Sequence, residues 1–93
     1  MWRVTESKPA RKALDRAPEQ IARNWDAWLQ IVRHSGPDGL RRVAGFHDEA
    51  LGGKWEGHRS SRLSREYRVI YRVHRDDVEV TVVNVTKHDY RKK

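Results

Sequence analysis

The chain has no cysteine among its 93 residues. That absence removes a disulfide framework, a thiolate metal site and a catalytic thiol together. Apolar runs are short, far below the ~20 residues a membrane-spanning helix requires, so no membrane partner is expected. Met1-Trp2-Arg3-Val4-Thr5-Glu6 has no apolar stretch of the secretory kind, so no signal segment is expected there. Neither GxxxxGK[ST] nor GxGxxG occurs, and Gly52-Gly53-Lys54 is too short to form either phosphate-cradling loop. His34, His47, His58, His74 and His88 are scattered rather than paired at ligand spacing, so no metal and no cofactor are expected. Ser60 and Ser61 have no evident His–Asp relay. The length suits one domain spanning 1–93 and leaves no room for a separate cofactor domain. A chain this short buries only roughly 60–65% of its unfolded surface, so a covering partner would add to its stability.

What the sequence does have is positive charge, with 20 Lys or Arg against 13 Asp or Glu and a net +7. Such a balance suits an anionic partner. The charge is uneven: residues 1–34 carry a net +3, 35–57 a net −1 and 58–93 a net +5. The C-terminal third is therefore where an anion is expected to dock.

Trp2-Arg3-Val4 alternates as a short strand does. Ser7 is a helix N-cap type and Pro9 is tolerated in a first turn, so a helix over about 8–16 is expected. Pro18 ends it and opens a second helix. Its apolar stripe is Ile21, Ala22, Trp25, Trp28, Leu29 and Val32, with Arg23, Asn24, Asp26, Gln30 and Arg33 mostly opposite. Trp25 and Trp28 read as core rather than as a ligand platform. Gly36-Pro37-Asp38-Gly39 stops the helix, and the short connection predicts an antiparallel helical hairpin. Residues 35–57 hold all six glycines and read as a long loop of the functional kind. From Arg59 the period becomes two. Arg59 to Ser64 is a polar strand, and Tyr67, Val69, Tyr71 and Val73 alternate with Arg68, Ile70, Arg72 and His74. Val78 to Val85 carries apolar residues on both alternations, which predicts an interior strand. The expected fold is α+β: an N-terminal helical hairpin packed on a small, mainly antiparallel sheet, in the order β-α-α-β-β-β.

The chemistry concentrates in Glu49, Lys54, Arg59, Arg62, Arg68 and His88, with Tyr90 near His88. A turn at Ser64–Glu66 would bring Arg62 and Arg68 together across an antiparallel ladder. Arginine forks bind phosphate oxygens bidentately and stay charged. Histidine titrates near neutrality and suits proton transfer. A ribonuclease that acts through side chains alone needs only a base, cations on the crowded phosphate and an acid at the leaving oxygen. Two plainer readings stand beside it. One is a surface that binds nucleic acid or an acidic protein. The other is a solvated face on which Arg59, Arg62, Arg65 and Arg72 pair with Glu66 and Asp76.

The run Leu51-Gly52-Gly53-Lys54-Trp55-Glu56-Gly57-His58-Arg59-Ser60-Ser61-Arg62-Leu63-Ser64-Arg65-Glu66-Tyr67-Arg68-Val69-Ile70-Tyr71 resembles the core of RelE/ParE superfamily toxins, the toxin halves of bacterial type II toxin–antitoxin pairs. Val83-Asn84-Val85-Thr86-Lys87-His88-Asp89-Tyr90-Arg91 is similar to their terminal strand and final basic or His residue. The likeness covers residues 40–91, and the preceding helices match in pattern only. It is nearest to the RelE, YoeB and YafQ type, which implies a ribosome-dependent mRNA endoribonuclease working by 2′-hydroxyl attack in the 30S A site. The resemblance implies that Arg68 contacts the scissile phosphate and that Arg62 is a second phosphate-binding arginine. It makes His88 the general acid and Glu49 the general base, with His47 or His58 competing for that last role. Lys54 falls near the lysines that act in RelE, and Tyr90 stands near the family's C-terminal aromatic, displaced from it. Arg59, Arg65, Lys87, Tyr90 and Arg91 are expected to hold RNA around this set. The resemblance further implies a cytoplasmic protein neutralised by an acidic antitoxin. A ParE-like gyrase inhibitor shares the fold without needing the Glu49–Arg68–His88 set. A non-catalytic RNA- or ribosome-binding module is the third reading. The sequence specifies no oligomeric state.

Overall fold

The computed structural model of the chain describes residues 1–87. His88, Tyr90 and Arg91 lie outside the described residues. The elements are β1 (Arg3–Glu6), α1 (Lys8–Arg16), α2 (Glu19–Ser35), β2 (Glu49–Ala50), β3 (Arg59–Arg62), β4 (Tyr67–His74) and β5 (Glu79–Lys87), with short 3-10 segments between α2 and β5. The strands form one sheet in the order β1-β5-β4-β3-β2. β2, β3, β4 and β5 pair antiparallel, and β1 lies parallel to β5.

Helix α1 begins where its cap dictates. The Ser7 Oγ accepts the Ala10 amide at 3.1 Å and donates to the Val83 carbonyl at 2.6 Å, so one hydroxyl both caps the helix and ties it to β5. Pro18 is the N-cap of α2, and Gly36 ends that helix in a positive-φ conformation. Ile21, Trp25, Trp28 and Val32 line one face of α2 and are buried. Two details of the expected stripe differ: Ala22 is exposed and Leu29 is half-buried. Asn24, expected on the polar side, donates its amide to the Leu63 carbonyl. Trp25 and Trp28 stack at 5.1 Å, and Trp28 meets the Tyr71 ring edge-on at 5.4 Å, so both are core.

The helix-facing core takes Val69 and Tyr71 from β4, Val80, Val82 and Val85 from β5, and Leu40, Phe46 and Leu63 from the connections. The alternation expected in β4 holds, with Tyr67 and Val73 packed against the same core. β5 is interior, as expected, but its two-sided apolar pattern has a different cause. Ile70 pairs with Asn84 and Tyr71 with Val82, which leaves Val83 unpaired at an irregularity in the ladder. The extra residue shifts the phase, so Val80, Val82 and Val85 all point at the helices.

The β-α-α-β-β-β order needs one further correction. β2 lies inside the segment read as a loop, giving five strands, and β3 ends at Arg62 rather than Ser64. Ser64 instead makes the turn, its Oγ accepting the amides of Glu66 and Tyr67 at 3.1 and 3.2 Å.

Candidate functional site

The site is built by register. Cross-strand partners put Arg59 with Tyr71 and Ser61 with Val69, and Val69 and Tyr71 face the helices. Ser60 pairs with Ile70 and Arg62 with Arg68, so by alternation these four belong to the other face. Glu49 pairs with Ser60 and joins them there. The pairing continues across β4 to Thr86, opposite Arg68.

Arg62 and Arg68 therefore stand directly opposite each other. Leu63 donates its amide to the Tyr67 carbonyl at 2.8 Å, which makes Leu63–Tyr67 a hydrogen-bonded pair and Arg62–Arg68 the closer, non-hydrogen-bonded kind. Cα atoms in such pairs are about 4.5 Å apart. Like charges at that spacing destabilise an empty sheet. The compensation is partial: the Glu49 Oε2 lies 4.0 Å from an Arg68 terminal nitrogen. Arg68 is half-buried, and its Nε has no hydrogen-bond partner among the described residues. Arg62 forms no ion pair among the described residues. Two half-buried guanidinium groups with unused donors make a site for an anion with several oxygens, and phosphate has the matching geometry.

The other predicted residues fall elsewhere. Lys54 is exposed in the turn between β2 and β3, beyond Arg59 and so at the opposite end of β3 from Arg62. Arg65 is exposed in the β3–β4 turn. Lys87 is the last residue of β5, pairs with Tyr67 and so belongs to the helix-side alternation. His47 is exposed in a left-handed conformation just before β2. His58 sits against Trp55, its Nδ1 3.2 Å from the Trp55 carbonyl oxygen. Of the three candidates for a base, Glu49 is the one in contact with the arginine pair. Among the described residues no group of three His, Cys, Asp or Glu is arranged to hold a metal ion. No helix among them is long and apolar enough to cross a membrane.

Arg59 is the clear departure. Expected on the RNA-binding surface, it faces the helices instead and is committed to Asp48, at 2.8 Å through Nε and 2.7 Å through a terminal nitrogen. The expected pairing of these arginines with Glu66 and Asp76 is replaced, at Arg59, by this buried partner. The Asp48 side chain is wholly buried. It also accepts the Ser61 Oγ at 2.6 Å and the Tyr71 hydroxyl. The Trp28 indole donates to the same Ser61 Oγ at 2.9 Å. Burial, then the hydrogen bond and charge of Asp48, push the Tyr71 phenol well above its usual range. Asp48 is not among the residues that the sequence singles out. The available signal was its place beside Glu49: if Glu49 faces away from the helices, Asp48 must face them, where a buried acid needs a cation and hydroxyls.

The same architecture occurs in solved toxin structures. An archaeal RelE, seen in a RelE–RelB complex from Pyrococcus horikoshii, is 25% identical, with a TM-score of 0.76 over 96% of this chain and 97% of that one. YoeB in a YoeB–YefM toxin–antitoxin complex from Staphylococcus aureus is 18% identical, with a TM-score of 0.71 over 97% and 99%. YafQ from Escherichia coli is 15% identical, with a TM-score of 0.70 over 94% and 93%. No protein-family model and no curated protein sequence matches the chain. The fold is thus that of RelE, YoeB and YafQ, the type to which the motif around Arg62 and Arg68 is similar.

Proposed function

We propose that this chain is the toxin of a type II toxin–antitoxin pair and that it cleaves mRNA on the ribosome. The observation that carries the reading is the facing Arg62–Arg68 pair, with an unpartnered buried Nε and a carboxylate 4.0 Å away, on the sheet face opposite the helices of a RelE-like fold. Arg62 and Arg68 hold the scissile phosphate and the charge that builds on it during attack. Glu49 takes the proton from the 2′-hydroxyl, whose oxygen then bonds to phosphorus. The bond to the 5′-oxygen breaks, and His88 supplies the proton that oxygen needs. His88 follows Thr86 by two residues in the chain, and Thr86 pairs with Arg68. Lys54 adds positive charge at longer range, from the β2–β3 turn at the far end of β3.

So small a set of groups gains from a substrate held in place by a larger machine, which is the part we assign to the ribosome. The partner that silences the toxin is an antitoxin with an acidic segment, complementary to the net +7 of this chain. Support for such a partner comes from the neighbours solved with RelB and YefM.

The chemistry is tested by the ends it leaves. Cleaved mRNA should carry a 2′,3′-cyclic phosphate or 3′-phosphate on one side of the cut and a 5′-hydroxyl on the other. Fragments bearing 5′-phosphate would rule the mechanism out. Intact mRNA together with gyrase-linked DNA breaks in arrested cells would replace it with the ParE-like reading.

A further inference from the structure

We infer that Asp48 is a positioning residue for Glu49: it pins the register of β2 and so keeps the Glu49 carboxylate on the face that carries Arg62 and Arg68. The inference rests on the reading of Glu49 as the base. Little else holds β2. The strand is two residues long, lies at the sheet edge and pairs with β3 through Glu49–Ser60 and Ala50–Arg59, with the Leu51 amide donating to the His58 carbonyl at 2.9 Å just beyond. In a ladder this short, a slip of one residue costs few backbone hydrogen bonds. It would nevertheless turn Glu49 to the helix side, because side chains alternate with a period of two.

Asp48 resists that slip. Continuing the register back by one residue sets Asp48 opposite Ser61, and the Ser61 Oγ donates to it at 2.6 Å. Arg59, two residues before Ser61 and so on the same face, grips the other carboxylate oxygen through two nitrogens. The Tyr71 hydroxyl donates from β4 to the oxygen that Ser61 also holds. Three side chains on two strands thus converge on one fully buried carboxylate. A slip in one direction would put His47 in its place and leave Arg59 without its counter-charge, and a slip in the other would force the longer Glu49 side chain into a site that encloses Asp48 completely. The preceding residue adds a sharp approach: His47 is left-handed, at φ 48°, straight after the 3-10 turn that buries Phe46. Asp48 and Glu49 are neighbours in sequence with opposite duties, one anchoring into the interior and the other held out toward the arginines.

The test is a double-variant cycle on ribosome-programmed cleavage at saturating substrate, joined to a measurement that does not depend on activity. Asp48→Asn keeps the shape and loses the charge. It should lower the single-turnover rate roughly 10- to 100-fold, as a misplacement of about 1 Å can, with ribosome affinity unchanged. In a Glu49→Gln background the same change should cost nothing further, because the group it positions is gone. Tyr71→Phe, a milder removal of one donor, should show the same dependence at smaller size. By nuclear magnetic resonance, the Glu49–Ser60 cross-strand contacts should weaken in Asp48→Asn while the β3–β4 contacts persist. An equal rate loss with and without Glu49, or unchanged β2–β3 contacts in Asp48→Asn, would overturn the inference. A wild-type protein that cuts no mRNA would defeat the nuclease reading alone, and the resonance measurement would still decide whether Asp48 pins β2.

Discussion

At the scale of single residues, the chain spends its buried polar groups in two different ways. Around Asp48 every partner is supplied, while around Arg68 a donor is left over. The first cluster has a testable consequence for pH. The Tyr71 phenol is raised above its ordinary value by burial and by Asp48, so the folded state holds that proton more tightly than the unfolded chain does. A raised pKa contributes stability that is complete below the unfolded value, about 10, and is lost as pH climbs past it. Unfolding followed by circular dichroism should therefore show wild-type stability falling from about pH 10 upward more steeply than that of Tyr71→Phe. Parallel curves would mean that Tyr71 is not the group responsible. At the second cluster, the proposed function makes Arg62 a phosphate contact outside the core, which Arg62→Ala would remove. The substitution should weaken binding to single-stranded RNA and reduce the slope of log K against log salt by about 0.7. An unchanged slope in a salt titration would take Arg62 out of the interface.

At the scale of elements, the helices and their ends follow from local chemistry. Gly36 closes α2 at φ 78° and ψ 173°, a region open almost only to glycine. A Cβ there would lie 2.7 Å from the Trp2 indole nitrogen, which packs across the end of the helix. Gly36→Ala should therefore cost about 3 kcal/mol and lower the melting temperature by roughly 10 °C or more in a thermal scan. A shift of a degree or two would show that the end of the helix relaxes freely. The same local chemistry is why so much was readable: Ser7, Pro9, Pro18 and Gly36 mark helix boundaries by themselves, and Ser64 marks the turn that sets Arg62 against Arg68. The rest needed partners distant in the chain. β2 carries no alternation to notice, being two residues between Asp48 and Leu51. The phase shift at Val83 exists only because β4 and Ser7 meet β5 there. Arg59 resembled its neighbours in sequence, and only the register separates it from Arg62.

At the scale of the whole molecule, one sheet divides the work. Helices and the buried tryptophans occupy one face, and the charge cluster of Glu49, Arg62 and Arg68 occupies the other. The strand order puts β4 and β5 at the centre, so Arg68 sits on one of the best-supported strands of the sheet. A side chain fixed in this way would lose little entropy on meeting the substrate proposed for it. The net +7 favours encounter with nucleic acid at low salt and with an acidic partner by the same field. Charge attraction alone would fade gradually as basic residues were removed, whereas a nuclease fails at particular ones. Primer extension on a defined mRNA with assembled ribosomes separates the two most directly. Wild-type protein should make discrete cuts and Arg68→Ala none, while Arg68→Ala still binds ribosomes. Equal cutting by Arg68→Ala and wild type would show that Arg68 has no part in cleavage.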